Sequence, residues 1–265
     1  MININTNSID LILINNKENN NVNKELYRVL KPGGYLFGID KPHKSHNSVC
    51  DIEDIGFIIK DSISYFFKEN EDVKQDVICL AMKPLSEKNF AENVMKWGTS
   101  GLNIDGTRVG NEKRTYSGVS GSNNTFIGGC FGKGESNKTQ YEVEGRYPAN
   151  FIIHKDVAPI LDKQSGYSKS RPNIVKEKYK SSENGVNTPF KRGGDTYHND
   201  EGGASRYFYN AKSYKDLLRY ITVLGLPPKE SKVLFIGFNN ADEIIEEINK
   251  ESNVKYEAIT IGRIE

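Results

Sequence analysis

Apolar and polar positions alternate with two different periods along this chain, and the periods divide it into three parts. Ile9–Ile14 is a short, almost wholly apolar run, the pattern of a strand buried on both faces of a parallel sheet. Val22, Leu26, Val29 and Leu30 follow at helical spacing, so the pattern predicts a one-faced helix over 19–30. "KPGG", Lys31–Gly34, is expected to stop it. "YLFGID", Tyr35–Asp40, reads as the next strand, and 46–57 as a helix ending at Gly56. Phe57–Phe67 and Gln75–Pro84 read as two more strands. From about Asn89 to Lys212 periodic runs are few, and Gly, Ser, Asn and Tyr dominate. The stretch 115–140 is close to low complexity and reads as loop. Order returns with a helix over Ser213–Pro228, a strand at Lys232–Phe238, an amphipathic helix at Asn240–Glu251 and a last strand at Tyr256–Gly262. Strands alternating with helices at both ends predict an α/β fold with a mostly parallel sheet. The expected organisation is a core built from 1–88 and 213–265, interrupted by an irregular insert over 89–212.

Charge sharpens that division. The formal net charge of the 265 residues is only +1. Residues 106–215 nevertheless carry 18 Lys/Arg against 11 Asp/Glu, a local +7, while 1–105 (12 against 15) and 216–265 (6 against 9) each carry −3. A cationic middle in a neutral scaffold suits a polyanionic partner such as double-stranded DNA, although a solvated Lys-rich loop region gives the same count. Cys50, Cys79 and Cys130 are widely spaced and form no CxxC pair, so reduced, mostly buried thiols in the cytoplasm are expected. No apolar run reaches membrane-spanning length, and the first residues lack a secretory pattern. The four histidines have no ligand-spaced partner, so no metal site is expected.

Four segments carry a resemblance. "ELYRVLKPGGYLFGID" (25–40), "VICLAMKPLSEKNFAENVMKWGTSGLNIDGTRVG" (77–110), "GRYPANFIIH" (145–154) and "ASRYFYNAK" (204–212) occur here in the order in which DNA amino-methyltransferases carry similar segments. Those enzymes transfer a methyl group from S-adenosylmethionine to adenine N6 or cytosine N4. The variant implied places its catalytic motif first, its target-recognition region in the middle and its cofactor motif last. The resemblance implies a methyltransferase-like, Rossmann-like fold with a basic target-recognition insert.

The resemblance also locates the chemistry, and there the chain departs from the family. The family's first strand ends in Asp-Pro-Pro-Tyr or Asn-Pro-Pro-Tyr, whose first residue and a backbone carbonyl accept hydrogen bonds from the target amine while the aromatic ring stacks on the flipped base. The matching positions here are Asn15, Asn16, Lys17 and Glu18. Asn15 keeps an acceptor, both prolines are absent, and Glu18 replaces the ring. The family's cofactor motif, Asp-Pro-Phe-x-Gly-x-Gly-Thr, falls on "VLFIGFNNADE", where Phe235 and Ile236 stand at the Asp and Pro positions, Asn239 and Ala241 at the two glycine positions, and Gly237 is the only glycine left. Thr260 occupies the place of the acid that binds the ribose hydroxyls. The resemblance therefore implies Asn15 and Asn16 as catalytic positions and Gly237 and Thr260 as cofactor positions, with S-adenosylmethionine the cofactor if the chain is active and no cofactor otherwise. Candidate DNA contacts are Arg108, Arg114, Arg146, Lys191, Arg192, Arg206 and Lys212. For Arg146 and Arg206 the alternative is a structural one, pairing with carboxylates inside the insert. Tyr147, Tyr207, Phe208 and Tyr209 could stack on bases, although "RYFY" more often means strand core with a polar handle. "GGCFGKGES", 128–136, lacks the GK[ST] ending of a phosphate loop.

The preferred expectation is a catalytically silent DNA-binding protein, masking sites or pairing with an active methyltransferase subunit. The alternatives are a divergent working methyltransferase using Asn15, and a remnant with no selected activity.

Overall fold

The computed structural model describes residues 3–18, 24–120, 137–169, 200–227 and 229–262, with the side chains of Glu18, 114–120 and 137–141 left aside. The chain forms β1 (Ile9–Asn15), α1 (Lys24–Val29), β2 (Leu30–Asp40), α2 (Pro42–Ile55), β3 (Ile58–Glu69) and β4 (Asp72–Met82). Then come α3 (Phe90–Trp97), β5 (Val109–Ser120), β6 (Asn137–Arg146), β7 (Phe151–His154), α4 (Ala158–Ser165), β8 (Ser168–Lys169), β9 (Glu201–Gly202) and β10 (Tyr209–Ala211). The chain closes with α5 (Tyr214–Gly225), β11 (Ser231–Ile236), α6 (Ala241–Glu251) and β12 (Tyr256–Ile261).

An eight-stranded sheet runs in the order β10-β7-β3-β4-β2-β1-β11-β12. All neighbours are parallel except β4, which lies antiparallel between β2 and β3. The α/β class and the mostly parallel sheet are thus as the pattern implied. The span 89–212 adds β7 and β10 to the far edge of the same sheet, and a separate two-stranded pair, β5 with β6.

Alternation along the strands divides the core into two layers. Leu11 and Leu13 of β1 face Leu217, Ile221, Ile244 and Ile248 of α5 and α6. Ile12 and Ile14 face Leu26 and Val29 of α1 and Ile52 of α2. β1, buried on both faces, is therefore continuously apolar rather than alternating.

Several local expectations are corrected. "KPGG" lies inside β2 and does not break the chain there. Gly33 takes φ +76° and donates its N–H to the Lys83 carbonyl (2.9 Å), while Lys83 N–H donates to Gly34 O (3.0 Å), so the chain bulges and continues as strand. A Cβ at Gly33 would come within 2.2 Å of Ser100 Oγ and 2.6 Å of Asn93 Nδ2, which explains the glycine. The helix expected over 19–30 is α1 alone among the described residues, and α2 begins four residues before its expected start, with Pro42 in its first turn. The stretch 115–140, read as loop, is strand at 115–120 and 137–140, where Thr115, Tyr116, Val119 and Thr139 supply β-formers that the glycines and serines obscured. Cys79 is buried as expected and Cys50 is exposed; Cys130 lies outside the described residues.

Candidate active-site cleft and cationic cluster

β1 and β11 lie side by side, but the chain leaves them in opposite directions: β1 leads through α1 to β2 on one side, and β11 through α6 to β12 on the other. In open α/β sheets ligands bind at such a switch point, beyond the carboxyl ends of the strands. Asn15 and Gly237 stand at those ends. Asn15 Nδ2 donates to Gly237 O at 3.3 Å, so the amide spans the crevice between the two strands. Gly237 adopts φ +74° and donates its N–H to Ile261 O (3.1 Å). Phe238 then turns inward, 5% exposed, with its ring edge-on to Phe235 at 6.0 Å, and Ala241 is buried beneath it. Asp242 and Glu243 place negative charge in the first turn of α6, where the helix dipole favours it. Thr260 is exposed on the edge strand, in register with Phe235. A Cβ on Gly262 would meet nothing within 4 Å.

The two residues after Asn15 are committed to neighbours. Asn16, 5% exposed, donates Nδ2 to Asp40 Oδ2 at 3.1 Å. Burial raises the Asp40 carboxyl above its ordinary range, against the opposing pull of Asn16, Ser48, Lys44 and Lys17. Lys17 forms an ion pair with Asp76, whose side chain is 4% exposed, and its ammonium lies 4.6 Å from the centroid of the Tyr214 ring and 5.9 Å from that of Phe67. Burial lifts the Asp76 carboxyl too, with Lys17 opposing. Lys17, Tyr65, Phe67, Asp76, His154 and Tyr214 line a cavity of about 300 Å³ at the carboxyl ends of the parallel strands. This cavity, beyond β3, β4 and β7 and beside the Asn15–Gly237 crevice rather than in it, has aromatic walls, and a lysine of the chain itself lies against them.

Of the candidate cationic contacts, the structure brings two together. Arg146, 8% exposed, donates to Glu112 (3.0 Å), pairs with Asp200 (2.7 Å) and donates to the Arg206 carbonyl (2.9 Å). Arg206 binds the other Asp200 oxygen (2.7 Å) and the Gly202 carbonyl (2.6 Å). The Tyr207 ring lies between the guanidiniums, 4.8 Å from Arg146 and 4.2 Å from Arg206. Burial works to raise the Asp200 carboxyl, yet the two arginines outweigh it and hold the group below the ordinary carboxylate range. This is the arrangement of the structural alternative, a cluster tying β6 to the 204–207 turn. Arg108 lies apart, with Nε on Asp105 (2.8 Å), and Lys212 is exposed beyond β10. The Arg114 side chain, Lys191 and Arg192 lie outside the described residues. Among the described residues no group of His, Cys, Asp and Glu could hold a metal ion, and no helix is long and apolar enough to cross a membrane.

Sequence reasoning did not single out Asp76, Asp200 or Tyr214. Asp76 carries a weak signal: it is an acid directly before the apolar run Val77–Met82, where a buried charge is too costly to stand alone. Asp200 gives none, since its partners are 54 residues before it and 6 after it.

No family model and no curated protein matches the chain. Among solved structures it is similar to the M1.HpyAVI–SAM complex (TM-score 0.40, 10% identity, 97% of this chain and 82% of that one). It is also similar to M1.HpyAVI (0.41, 10%, 96% and 80%) and to the PvuII cytosine-N4-specific DNA methyltransferase (0.41, 8%, 99% and 77%). At TM-scores near 0.4 the assignment rests on the chain's own residues.

Proposed function

We propose that this chain is a DNA-binding protein on an amino-methyltransferase-like scaffold that does not transfer methyl groups. The observation that carries the reading is the occupancy of its cleft. Asn15 turns its amide nitrogen onto Gly237 O across the switch point, and in the neighbouring cavity Lys17 lies against the aromatic walls, paired with Asp76. Methyl transfer needs the amine, its hydrogen-bond acceptors and the methyl donor aligned within a fraction of an ångström. Here the Asn15 and Asn16 amide nitrogens are committed to Gly237 O and Asp40, which fixes both side chains to the protein, and Ala241, at a glycine position of the family's motif, is packed into the core beside Phe238 where that motif keeps backbone open to the methionine part of the cofactor. S-adenosylmethionine therefore does not fit these residues, and no step is derived through it.

Binding to duplex DNA is supported by the +7 charge of 106–215 and by the order of the four family-like segments. The contacts proposed are Arg108, Arg114, Lys191, Arg192 and Lys212, with Arg146 and Arg206 shaping the surface from within. Backbone contacts release counterions, so the binding constant should fall steeply and log-linearly with salt. Purified protein is titrated with duplex DNA at several salt concentrations and, separately, incubated with DNA and radiolabelled S-adenosylmethionine. Salt-dependent binding without label transfer is expected. Absence of DNA affinity at low salt would sink the binding reading, and label on the DNA would replace it with the divergent enzyme.

A further inference from the structure

A second cavity, of about 260 Å³, opens between the 103–108 turn, α5 and the C-terminal end of α6. It lies toward the amino ends of β11 and β12, away from the cleft. Val223, Leu226 and Ile248 form apolar wall, and Asn103, Arg108 and Arg219 supply polar groups. Tyr220 also lines it, with its ring stacked on Tyr209 (centroids 3.8 Å apart) and its hydroxyl donating to Thr107 O at 2.9 Å, so α5 and the turn are held in fixed relation.

The ion pairs at its rim are lopsided. The Arg108 and Arg219 side chains are mostly sheltered, 17% and 24% exposed, whereas their partners Asp105 and Glu251 are 85% and 66% exposed. Among the described residues each guanidinium has that one carboxylate as its partner, Arg108 through Nε and Arg219 through one terminal nitrogen. A pair whose anion stands in water contributes little, and that anion can swing away at small cost. The remaining N–H groups of a guanidinium match the oxygens of a phosphate in a two-pronged geometry that a single exposed carboxylate does not fill.

We propose that this cavity binds a phosphate group borne on a small flat or apolar body, with Arg108 and Arg219 gripping the phosphate and the Val223–Leu226–Ile248 wall covering the body. The volume falls just under the range of about 300–1,000 Å³ usual for ligand pockets, which suits a phosphomonoester with one ring rather than an extended cofactor. The inference rests on this geometry; it shares Arg108 with the DNA contacts proposed above, and the duplex competition below separates the two roles.

Phenyl phosphate is the probe. The full chain is melted with increasing phenyl phosphate, with inorganic phosphate, and with chloride at matched ionic strength. A ligand that binds the folded state raises the Tm with concentration. Phenyl phosphate should raise it more than inorganic phosphate, and chloride not at all. R219Q and R108Q should each weaken the apparent affinity about tenfold or more, because a charge-assisted contact is lost. R219K, which keeps the charge but not the fork, should fall between. E251Q, which removes the competing carboxylate, should bind tighter than the parent, and this arm stands even if an arginine variant folds poorly. A response equal to that of chloride, or unchanged in R219Q and E251Q, would overturn the proposal. A short DNA duplex that displaces phenyl phosphate identifies a nucleic-acid backbone as the phosphate source, and lack of displacement identifies a free phosphomonoester.

Discussion

Removing the Lys17 ammonium would leave the Asp76 carboxylate, 3% exposed, among Tyr65, Phe67 and Tyr214 without its counter-charge. Breaking a buried pair from one side typically costs about 3–5 kcal/mol, but Lys17 is 20% exposed at its side chain, so about 2 kcal/mol is expected for K17M at pH 7. The pH dependence has a definite sign. The folded Asp76 carboxyl titrates above its ordinary value of about 3.9 because burial disfavours the charge, so its folded form is favoured at low pH and penalised as pH rises through that value. Without Lys17 the penalty grows. Urea unfolding of K17M should therefore show a smaller defect at pH 4 than at pH 7, and D76N added to K17M should recover part of the pH 7 loss. Lys83 gives the opposite case. The residue is 7% exposed, its ammonium donates to Asn7 Oδ1 (2.8 Å), Tyr27 O (2.6 Å) and Leu30 O (2.7 Å), with no carboxylate among these partners, and burial lowers its pKa to about 8. Between about 8 and the ordinary 10.5 the unfolded chain holds more protons than the folded one, so stability rises with pH over that window. K83M lacks this term. The difference in unfolding free energy between parent and K83M should move by about 2–3 kcal/mol in the parent's favour from pH 8 to pH 10.5.

At the scale of elements, what the sequence discloses depends on where each element finds its partners. β1 and β11 are legible as apolar runs because both faces of each are covered, and α6 because its stripe of Ile244, Ile245 and Ile248 meets one layer. Among the described residues β5 and β6 pair with each other and not with the eight-stranded sheet, and glycine, serine and asparagine dilute their strand formers, so the sequence shows no clear alternation there. β2 hides its first five residues behind "KPGG", whose bulge is fixed by Lys83, Asn93 and Ser100 some 50 to 70 positions away. The site divides in the same way. The resemblance locates Asn15 and Gly237 at the ends of adjacent strands, but the bond between them, and the grip of Asp76 on Lys17, exist only once the sheet is assembled. The Arg146–Asp200–Arg206 cluster is a tertiary joint of this kind, coupling β6 to the turn that precedes β10. D200N would leave two largely buried guanidiniums sharing a neutral amide, at a cost of about 3 kcal/mol at pH 7. The Asp200 carboxyl is held below the ordinary range, so its stabilisation is complete above about 3.9 and is lost as pH falls through the lower folded value. The gap between parent and D200N in urea should accordingly shrink when the same measurement is made at pH 3.

For the whole molecule, the decisive feature is that the first strand is covered on one side by strands from the C-terminal part of the chain, β11 and then the edge strand β12. β1 is held between β2 and β11, so the first strand is completed by a strand that begins 222 residues later at Ser231, in the register Leu11↔Val233 through Ile14↔Ile236. The span 89–212 closes the opposite edge through β7 on β3 and β10 on β7, so within the sheet only the β3–β4 hairpin is joined by a short turn and the other pairings join strands distant in sequence or linked through helices. A chain ending at Leu226 keeps β1, β2, β3, β4, β7 and β10 but loses β11, α6 and β12. It would bare the edge of β1, all of whose apolar residues are 0% exposed in the complete chain, and strip α5 of Ile244 and Ile248. An unpaired, apolar edge of this kind is an aggregation site, and contacts this distant in sequence give no reward until the loop between them has closed. The full chain should therefore unfold in urea as one transition seen alike by far-ultraviolet circular dichroism and by the fluorescence of its single tryptophan, Trp97 on α3. The chain ending at Leu226 should show no such transition and should precipitate or remain expanded. If that shortened chain instead gave a cooperative transition at a similar urea midpoint, β1 would have to be stabilised by β2 alone, and the switch point between β1 and β11 would be an attachment to a finished fold rather than its centre.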